Sequence, residues 1–99
     1  MFGLKDHELN IINEILKKYF PSSEIWIFGS RSTSNYKPYS DIDIAIIGNN
    51  KFEISNLPLA LEAFSESDLP IKADIVAYSE AQTGLKKAID SQHIKLTLY

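Results

Sequence analysis

The stretch Ile25–Ile47, IWIFGSRSTSNYKPYSDIDIAII, decides how this chain folds. Its first apolar run ends at Gly29, a largely polar connection follows, and a second apolar run begins at Asp41. Short apolar runs separated by a polar connection predict two buried β-strands. The acids Asp41 and Asp43 at the start of an otherwise apolar strand are costly for folding, which makes them candidates for a functional site.

Composition limits the classes of function. The chain has 99 residues, which corresponds to one domain, residues 1–99, with a modest core. Its net charge is −3 and Arg31 is its single arginine, so direct nucleic-acid binding through a basic patch is not expected. The absence of cysteine excludes disulfides and thiolate metal sites and fits a cytoplasmic protein. No apolar run has membrane-spanning length, and the N-terminus lacks a signal-peptide pattern.

Apolar periodicity predicts an alternation of helices and strands. The predicted helices cover residues 6–20, 52–64 and 79–90. The predicted strands cover residues 24–28, 41–47 and 71–78, with a short strand or extended tail after residue 93. The apolar residues of the first strand do not alternate, which predicts that both of its faces are covered. The order predicts an α/β (α+β) fold, a small mixed β-sheet with helices packed on it.

Polar residues at the element ends carry further predictions. Asp6 and Asn56 are candidate N-caps of the first two helices, and Ser79–Gln82 matches a capping box for the third. His7 is expected to be an exposed surface residue, because no second histidine or cysteine lies at ligand spacing. His93 is expected to be an exposed loop residue.

Asp41 and Asp43 form a candidate metal-binding pair. They are two residues apart on a strand, so both carboxylates project from one face, roughly 6–7 Å apart along the backbone. Such oxygen ligands suit Mg²⁺, which often binds together with substrate phosphates. The alternative is an exposed strand end with two solvated acids, and this short motif alone does not exclude it.

The residues after the first strand form a candidate phosphate site. Gly29 allows a ligand to approach the backbone closely, and Ser30 offers a hydroxyl and the N–H groups of a helical turn. Arg31 follows directly, and a guanidinium matches phosphate oxygens better than an ammonium group does. The alternative is a simple strand-to-helix turn with Ser30 as its N-cap.

Asp74 is the third candidate acid. It lies in the middle of the predicted third strand, where an isolated buried carboxylate is expensive unless it is paired or metal-bound. If this strand lies beside Asp41 and Asp43, the three carboxylates and the Gly-Ser turn make a plausible two-metal nucleotidyl-transfer site. The alternative is an edge-strand residue that faces water.

The spacing of these residues resembles a known family. Gly29-Ser30, ten intervening residues and Asp41-Ile42-Asp43 are similar to the GSx10DxD signature of the minimal nucleotidyltransferases in the polymerase-beta-like superfamily. The likeness covers nearly the whole chain and includes the third acid, Asp74. Many relatives carry a second basic residue and a glycine after the arginine, where this chain has Ser32–Ser34.

The resemblance implies a specific activity. Such domains resemble the antitoxin of two-gene HEPN/nucleotidyltransferase modules, which implies transfer of AMP from ATP to a tyrosine hydroxyl of a partner HEPN ribonuclease toxin. It implies that Asp41, Asp43 and Asp74 are catalytic and bind Mg²⁺. It also implies that the nucleotide contacts Gly29-Ser30 and Arg31.

The chain length bears on the acceptor. A chain of 99 residues is expected to leave no room for an acceptor-binding domain. The acceptor surface is then expected to come from another chain, in a homo- or hetero-oligomer, or the acceptor is itself a protein. One alternative is a nucleotidyltransferase subunit that acts on a small molecule or an RNA end with a helical partner. Another is a non-catalytic domain that neutralises a toxin by binding. Tyr36 and Tyr39 are interpreted as exposed loop residues without a role, although stacking on adenine or a partner contact is the alternative.

Overall fold

The computed structural model describes residues 1–99 and contains one four-stranded β-sheet with helices packed on it. The strands are β1 (Glu24–Phe28), β2 (Ile42–Ile47), β3 (Ala73–Ala77) and β4 (His93–Leu96). The helices are α1 (Asp6–Tyr19), α2 (Lys51–Ile54), α3 (Leu57–Ser65) and α4 (Thr83–Ser91). Two short 3-10 turns, Gly29–Ser32 and Tyr78–Glu80, follow β1 and β3. None of the helices is long and apolar enough to cross a membrane.

The sheet is mixed, as predicted, with the strand order β3-β2-β1-β4. β1 is antiparallel to both β2 and β4, whereas β2 and β3 are parallel. Phe28 therefore lies opposite Asp43, and Asp43 lies beside Asp74. These register pairs place the end of β1 and the starts of β2 and β3 at the same end of the sheet.

The main core fills the space between one face of the sheet and the helices α1 and α3. Side chains that alternate along β1 and β2, from Ile25 and Ile27 to Ile44, are fully buried there. Helix α1 contributes Ile12 and Leu16 to the same cluster. Burial of such side chains is the main stabilising contribution, about 1.5–3 kcal/mol for each one.

The opposite face of the sheet is only partly covered, which corrects the prediction that both faces of β1 are buried. Trp26 and Phe28 project from this face and remain half-exposed. The imidazole of His93 stacks on the Trp26 ring with 3.7 Å between centroids and an interplanar angle of 3°. Its Nδ1 lies 2.7 Å from the carbonyl oxygen of Ile89, so this contact ties α4 to the same face. The predicted exposed loop position of His93 is therefore wrong, whereas His7 is exposed as expected.

Three predicted capping interactions at helix N-termini are not formed in the structure, although α1 begins at Asp6 as predicted. Helix α1 is preceded by Lys5 rather than capped by Asp6, and Glu8 accepts a hydrogen bond of 2.8 Å from the Lys5 N–H. The predicted second helix is split into the short α2, which Asn50 caps, and α3. Asn56 occupies the N-cap position of α3, as predicted, but its amide donates to the carbonyl of Tyr19 and its side chain makes no capping hydrogen bond. The predicted capping box is wrong as well, since a 3-10 turn occupies that stretch and α4 begins later.

Candidate active site

The turn after β1 places the backbone of Gly29 close to the carboxylate of Asp43. Gly29 has a φ of +70°, a conformation that side chains other than glycine rarely adopt. A Cβ atom built on Gly29 would collide with Oδ2 of Asp43 and lie 3.2 Å from its Cγ. Glycine is therefore required here both by the backbone conformation and by the space available. The Gly-Ser turn therefore lies against Asp43, one of the two acids of the predicted site.

Ser30 lies in this turn with its hydroxyl available. Its carbonyl oxygen accepts hydrogen bonds from the N–H and the hydroxyl of Thr33, at 3.1 and 2.8 Å. The Ser32 hydroxyl donates to the Gly29 carbonyl at 2.7 Å, which closes the turn from the other side. Phe28 takes the N-cap position of the turn, so the alternative role of Ser30 as its N-cap is wrong.

The structure brings two of the predicted acids side by side on one face of the sheet. Asp43 and Asp74 are register partners on parallel strands, where neighbouring backbones lie about 4.8 Å apart. Asp41 is exposed and precedes β2 by one residue. Burial raises the pKa of the Asp43 carboxyl, and the negative charges of Asp74 and Asp41 raise it further. This end of the face is therefore an electrostatic environment that favours a cation.

The three carboxylates do not converge on one point in this conformation. No three acidic or histidine side chains are grouped closely enough to hold a metal ion. Asp74 instead pairs with the Lys72 ammonium at 3.5 Å, and its side chain is 45% exposed. It lies on an edge strand that faces water, as the alternative interpretation states, and it is nevertheless the neighbour of Asp43. The surface ion pair contributes little, about 0–1 kcal/mol, so Asp74 is free to rotate towards a cation.

The hydrogen bonds of Arg31 contradict the prediction that this residue contacts phosphate. Arg31 is only 2% exposed, and its guanidinium donates hydrogen bonds to backbone carbonyls. Nε donates to the carbonyl of Ser40 at 2.9 Å, and Nη1 donates to that of Phe2 at 3.0 Å. Nη2 donates to the carbonyls of Pro38 and Lys37, at 3.1 and 3.4 Å. Because a buried guanidinium needs these partners, it has little capacity left for a ligand.

The two tyrosines of the loop after the turn have different environments. Tyr36 is half-buried, and its ring centroid lies 5.2 Å from Cζ of Arg31, in cation–π contact. The prediction that Tyr36 is an exposed loop residue is therefore wrong. Tyr39 is 87% exposed, as expected for a loop tyrosine without packing partners.

A cleft of about 460 Å³ opens beside the Gly-Ser turn, a volume in the range of small-ligand sites. One wall consists of Phe28, Gly29 and Ser30 with the loop after them. The other wall is the C-terminal end of α4, with Ser91 and Gln92. No sequence signal marks this second wall, because polar residues at a helix end are common and only the packing of α4 brings them to the site.

The comparisons with known proteins identify the family of the chain. Residues 10–97 match the model of the polymerase beta nucleotidyltransferase family. The chain belongs to this family. The prediction that the protein is a nucleotidyltransferase with this fold is thereby confirmed.

This nucleotidyltransferase is similar to proteins of toxin–antitoxin systems. It is 34% identical over 91 residues to the probable protein adenylyltransferase MntA of Haemophilus influenzae, a match that covers 92% of this chain and 80% of that protein. A solved toxin–antitoxin structure with AMP-PNP is 26% identical, with a TM-score of 0.68 over 91% of this chain and 73% of the other. A tri-AMPylated Shewanella oneidensis HEPN toxin with its MNT antitoxin gives 23% identity and a TM-score of 0.59, over 97% and 74% of the two chains, and supports the fold alone.

Proposed function

We propose that this protein is an antitoxin that transfers AMP from ATP to a tyrosine hydroxyl of a partner HEPN-type toxin. The observation that carries the proposal is the contact between the Gly29 turn and the Asp43 carboxylate, beside Asp74. In that arrangement, a phosphate chain can approach the backbone at Gly29, and the neighbouring carboxylates can hold a cation. The names of two relatives, a probable protein adenylyltransferase and a toxin–antitoxin complex with AMP-PNP, support a protein acceptor within a toxin–antitoxin pair.

The acids fit Mg²⁺ by their chemistry. Asp41 and Asp43 would hold the ion, and Asp74 would complete the set after rotating away from Lys72. Burial raises the pKa of Asp43, and the negative charges of Asp74 and Asp41 raise it further, so a divalent cation bound there would stabilise the ionised carboxylate. When bound, Mg²⁺ neutralises the charge of the phosphates and of the leaving pyrophosphate.

The residues of the turn would bind the phosphates. Gly29 has no side chain, so an oxygen of the nucleotide can approach the backbone beside Asp43. The Ser30 hydroxyl adds a donor that is not used within the chain. The adjoining cleft, with Ser91 and Gln92 on its far wall, has room for the rest of the nucleotide. Arg31 is not part of this contact set, because its donors bind backbone carbonyls.

The transfer itself is a single displacement at the α-phosphorus of ATP. The acceptor oxygen forms a bond to that phosphorus while the bond to the bridging oxygen breaks, and pyrophosphate leaves. Asp74 takes the proton from the acceptor hydroxyl, since it lies at the open edge of the sheet where a partner can approach. The chain contributes mainly orientation of the reactants and compensation of charge.

Mass spectrometry of both chains tests the proposal. The protein is incubated with Mg-ATP and its candidate partner toxin, and the toxin is expected to gain about 329 Da, the mass of one AMP residue, or multiples of it. Peptide mapping then identifies the modified residue, which we expect to be a tyrosine. The same reaction with Asp41→Asn serves as the control and should give no adduct.

The other possible results separate the remaining functions. A labelled RNA end or small molecule, with an unmodified toxin, would contradict a protein acceptor and favour the alternative transferase. Full neutralisation of the toxin by a variant with all three aspartates replaced would contradict catalysis and favour neutralisation by binding alone.

A further inference from the structure

Arg31 connects three separate segments of the chain. Besides its own 3-10 turn, it binds the carbonyl of Phe2 in the N-terminal segment and the carbonyls of the segment 37–40. The N-terminal segment is a tight turn in which the Leu4 N–H donates to the Met1 carbonyl at 3.0 Å. Phe2 has a positive φ of 56° there, so its backbone needs support from its surroundings.

The segment 37–40 ends directly before the first metal-binding candidate. It forms its own turn, with the Ser40 N–H donating to the Lys37 carbonyl at 3.0 Å and the Lys37 N–H donating to the Ser40 hydroxyl at 2.8 Å. Nε of Arg31 binds the carbonyl of Ser40, the residue that precedes Asp41. The position of this turn therefore depends on the guanidinium.

Asp41 is held from both sides although it is itself exposed. On its N-terminal side, Arg31 binds the Ser40 carbonyl at 2.9 Å. On its C-terminal side, the Ile42 N–H donates to the Lys72 carbonyl at 2.9 Å, where β2 joins β3. The second bond belongs to the sheet. The hydrogen bond to the Ser40 carbonyl depends on the Arg31 side chain alone, and it sets the direction in which the chain enters β2.

We infer that Arg31 is a positioning residue, which fixes the Asp41 backbone so that its carboxylate and that of Asp43 face the same cation. The inference rests on the proposed function of the two acids. The guanidinium suits the task because its planar donors reach the Ser40, Phe2 and Pro38 carbonyls at once. A lysine ammonium is a compact point charge and cannot span those positions.

The test measures metal and nucleotide affinity separately. Mn²⁺ binding in the presence of AMP-PNP is followed by electron paramagnetic resonance for the wild type and for Arg31→Lys, far below the unfolding temperature. We expect Arg31→Lys to weaken Mn²⁺ binding on the order of tenfold, as for other residues that orient metal ligands. Binding of AMP-PNP in EDTA should stay unchanged. A loss confined to binding in EDTA would instead mean that Arg31 contacts phosphate, and would overturn the inference.

Hydrogen exchange gives a second readout that a general loss of stability does not imitate. In Arg31→Lys, exchange should accelerate selectively at the amides of Lys37 and Ser40. The amide of Ile44 in the central strand should keep its protection, because its partners lie in the sheet. Equal acceleration at all three amides would show that the substitution merely destabilises the fold, and would overturn the inference.

If Arg31→Lys does not fold, a milder variant tests the positioning role of Arg31. Ser40→Ala removes the hydroxyl that accepts from the Lys37 N–H and keeps the carbonyl that binds Arg31. It should weaken Mn²⁺ binding in the same direction, by about threefold, because the turn is looser. Unchanged Mn²⁺ affinity in Ser40→Ala would then overturn the inference.

Two controls keep this test distinct from the test of the proposed function. Lys18→Gln removes one positive charge from an exposed position on α1 and should leave Mn²⁺ affinity unchanged. Asp41→Asn should abolish it. If Asp41→Asn binds Mn²⁺ like the wild type, the proposed function fails. If only the Arg31 and Ser40 variants bind normally, the positioning role alone fails.

Discussion

Successive residues of β2 alternate between two faces of the sheet that differ in burial and in charge. Ile42, Ile44 and Ile46 are at most 1% exposed and pack into the main core. Asp43, between them, points to the other face, where Asp74 is its neighbour and where burial and like charge raise its pKa. The isoleucines of the core face stabilise the fold, whereas the charge of Asp43 on the other face opposes it. Substitutions on the two faces should therefore separate stability from activity.

The largest expected effect lies on the charged face. Asp41→Asn removes one candidate metal ligand at an exposed position, so AMP transfer should fall on the order of 10³-fold, as when one group that stabilises a transition state is removed. The free energy of unfolding should stay within about 0.5 kcal/mol of the wild type, because the residue is not packed. Initial rates of AMP incorporation and urea unfolding measure the two quantities. A stable variant that keeps its rate would contradict the assignment of Asp41.

The core face should give the opposite pattern. Ile44→Ala leaves a cavity in the centre of the sheet and should lower the free energy of unfolding by about 2–5 kcal/mol. The fraction that remains folded should transfer AMP at a rate close to that of the wild type, since the opposite face is unchanged. Urea unfolding and rates normalised to the folded fraction check this. A folded Ile44→Ala protein with little activity would show that the two faces are coupled.

Glycine substitutions sharpen the comparison at the border between the faces. Gly29→Ala places a Cβ against the Asp43 carboxylate and should reduce transfer by about 10- to 100-fold through misplacement of that group. Gly48→Ala is the matched control, because Gly48 also has a positive φ, of 101°, but a Cβ added there would meet no atom within 4 Å. Both variants should lose about 1–2 kcal/mol of stability. Equal rates for the two variants would remove the special role of Gly29.

The smallest effect is a gain of stability on the charged face. The raised pKa of Asp43 means that the folded protein holds this proton more tightly than the unfolded chain does. The resulting stabilisation is present below the ordinary pKa of an aspartate and is lost as the pH rises through the raised pKa. Asp43→Asn should therefore melt a few degrees higher than the wild type at pH 7. The difference should shrink below about pH 4, where the wild-type carboxyl is protonated as well.

The same shift predicts the pH dependence of activity. Cation binding requires the ionised form of Asp43, so wild-type transfer at low Mg²⁺ should rise with pH through the raised pKa. Higher Mg²⁺ should move the profile to lower pH, because the cation competes with the proton. A profile that does not respond to Mg²⁺ would assign the titration to another group.

Features that depend on short-range patterns could be predicted from the sequence. The alternation of isoleucine and aspartate in β2 indicates which residues share a face, and the structure confirms it. The glycine at the end of β1, followed by a polar connection and then the acids, indicates a shared site, whereas the contact of Gly29 with Asp43 in particular follows from the register of β1 and β2. Such local periodicities depend on few competing interactions.

The role of Arg31 could not be predicted in this way. An arginine beside a Gly-Ser turn suits a phosphate ligand, and the sequence therefore favours that contact. Its actual partners are backbone carbonyls from the N-terminal segment and the segment 37–40. Backbone carbonyls are present at every position, so no residue type marks them. The stack of His93 on Trp26 escapes prediction for a related reason, since it depends on the pairing of β4 with β1.

The burial of the chain's only arginine provides a chemical probe of local opening. Phenylglyoxal and related dicarbonyls modify accessible guanidinium groups, and here such a group becomes accessible only when Arg31 leaves its carbonyl partners. The modification rate under native conditions, divided by the rate for a free arginine peptide, gives the fraction of molecules in which these hydrogen bonds are open. Because Arg31 is the only arginine, all of the guanidinium modification occurs at this residue, and no assignment among several arginines is needed. Comparing the rate with and without Mg-ATP would show whether the occupied site keeps the guanidinium in place.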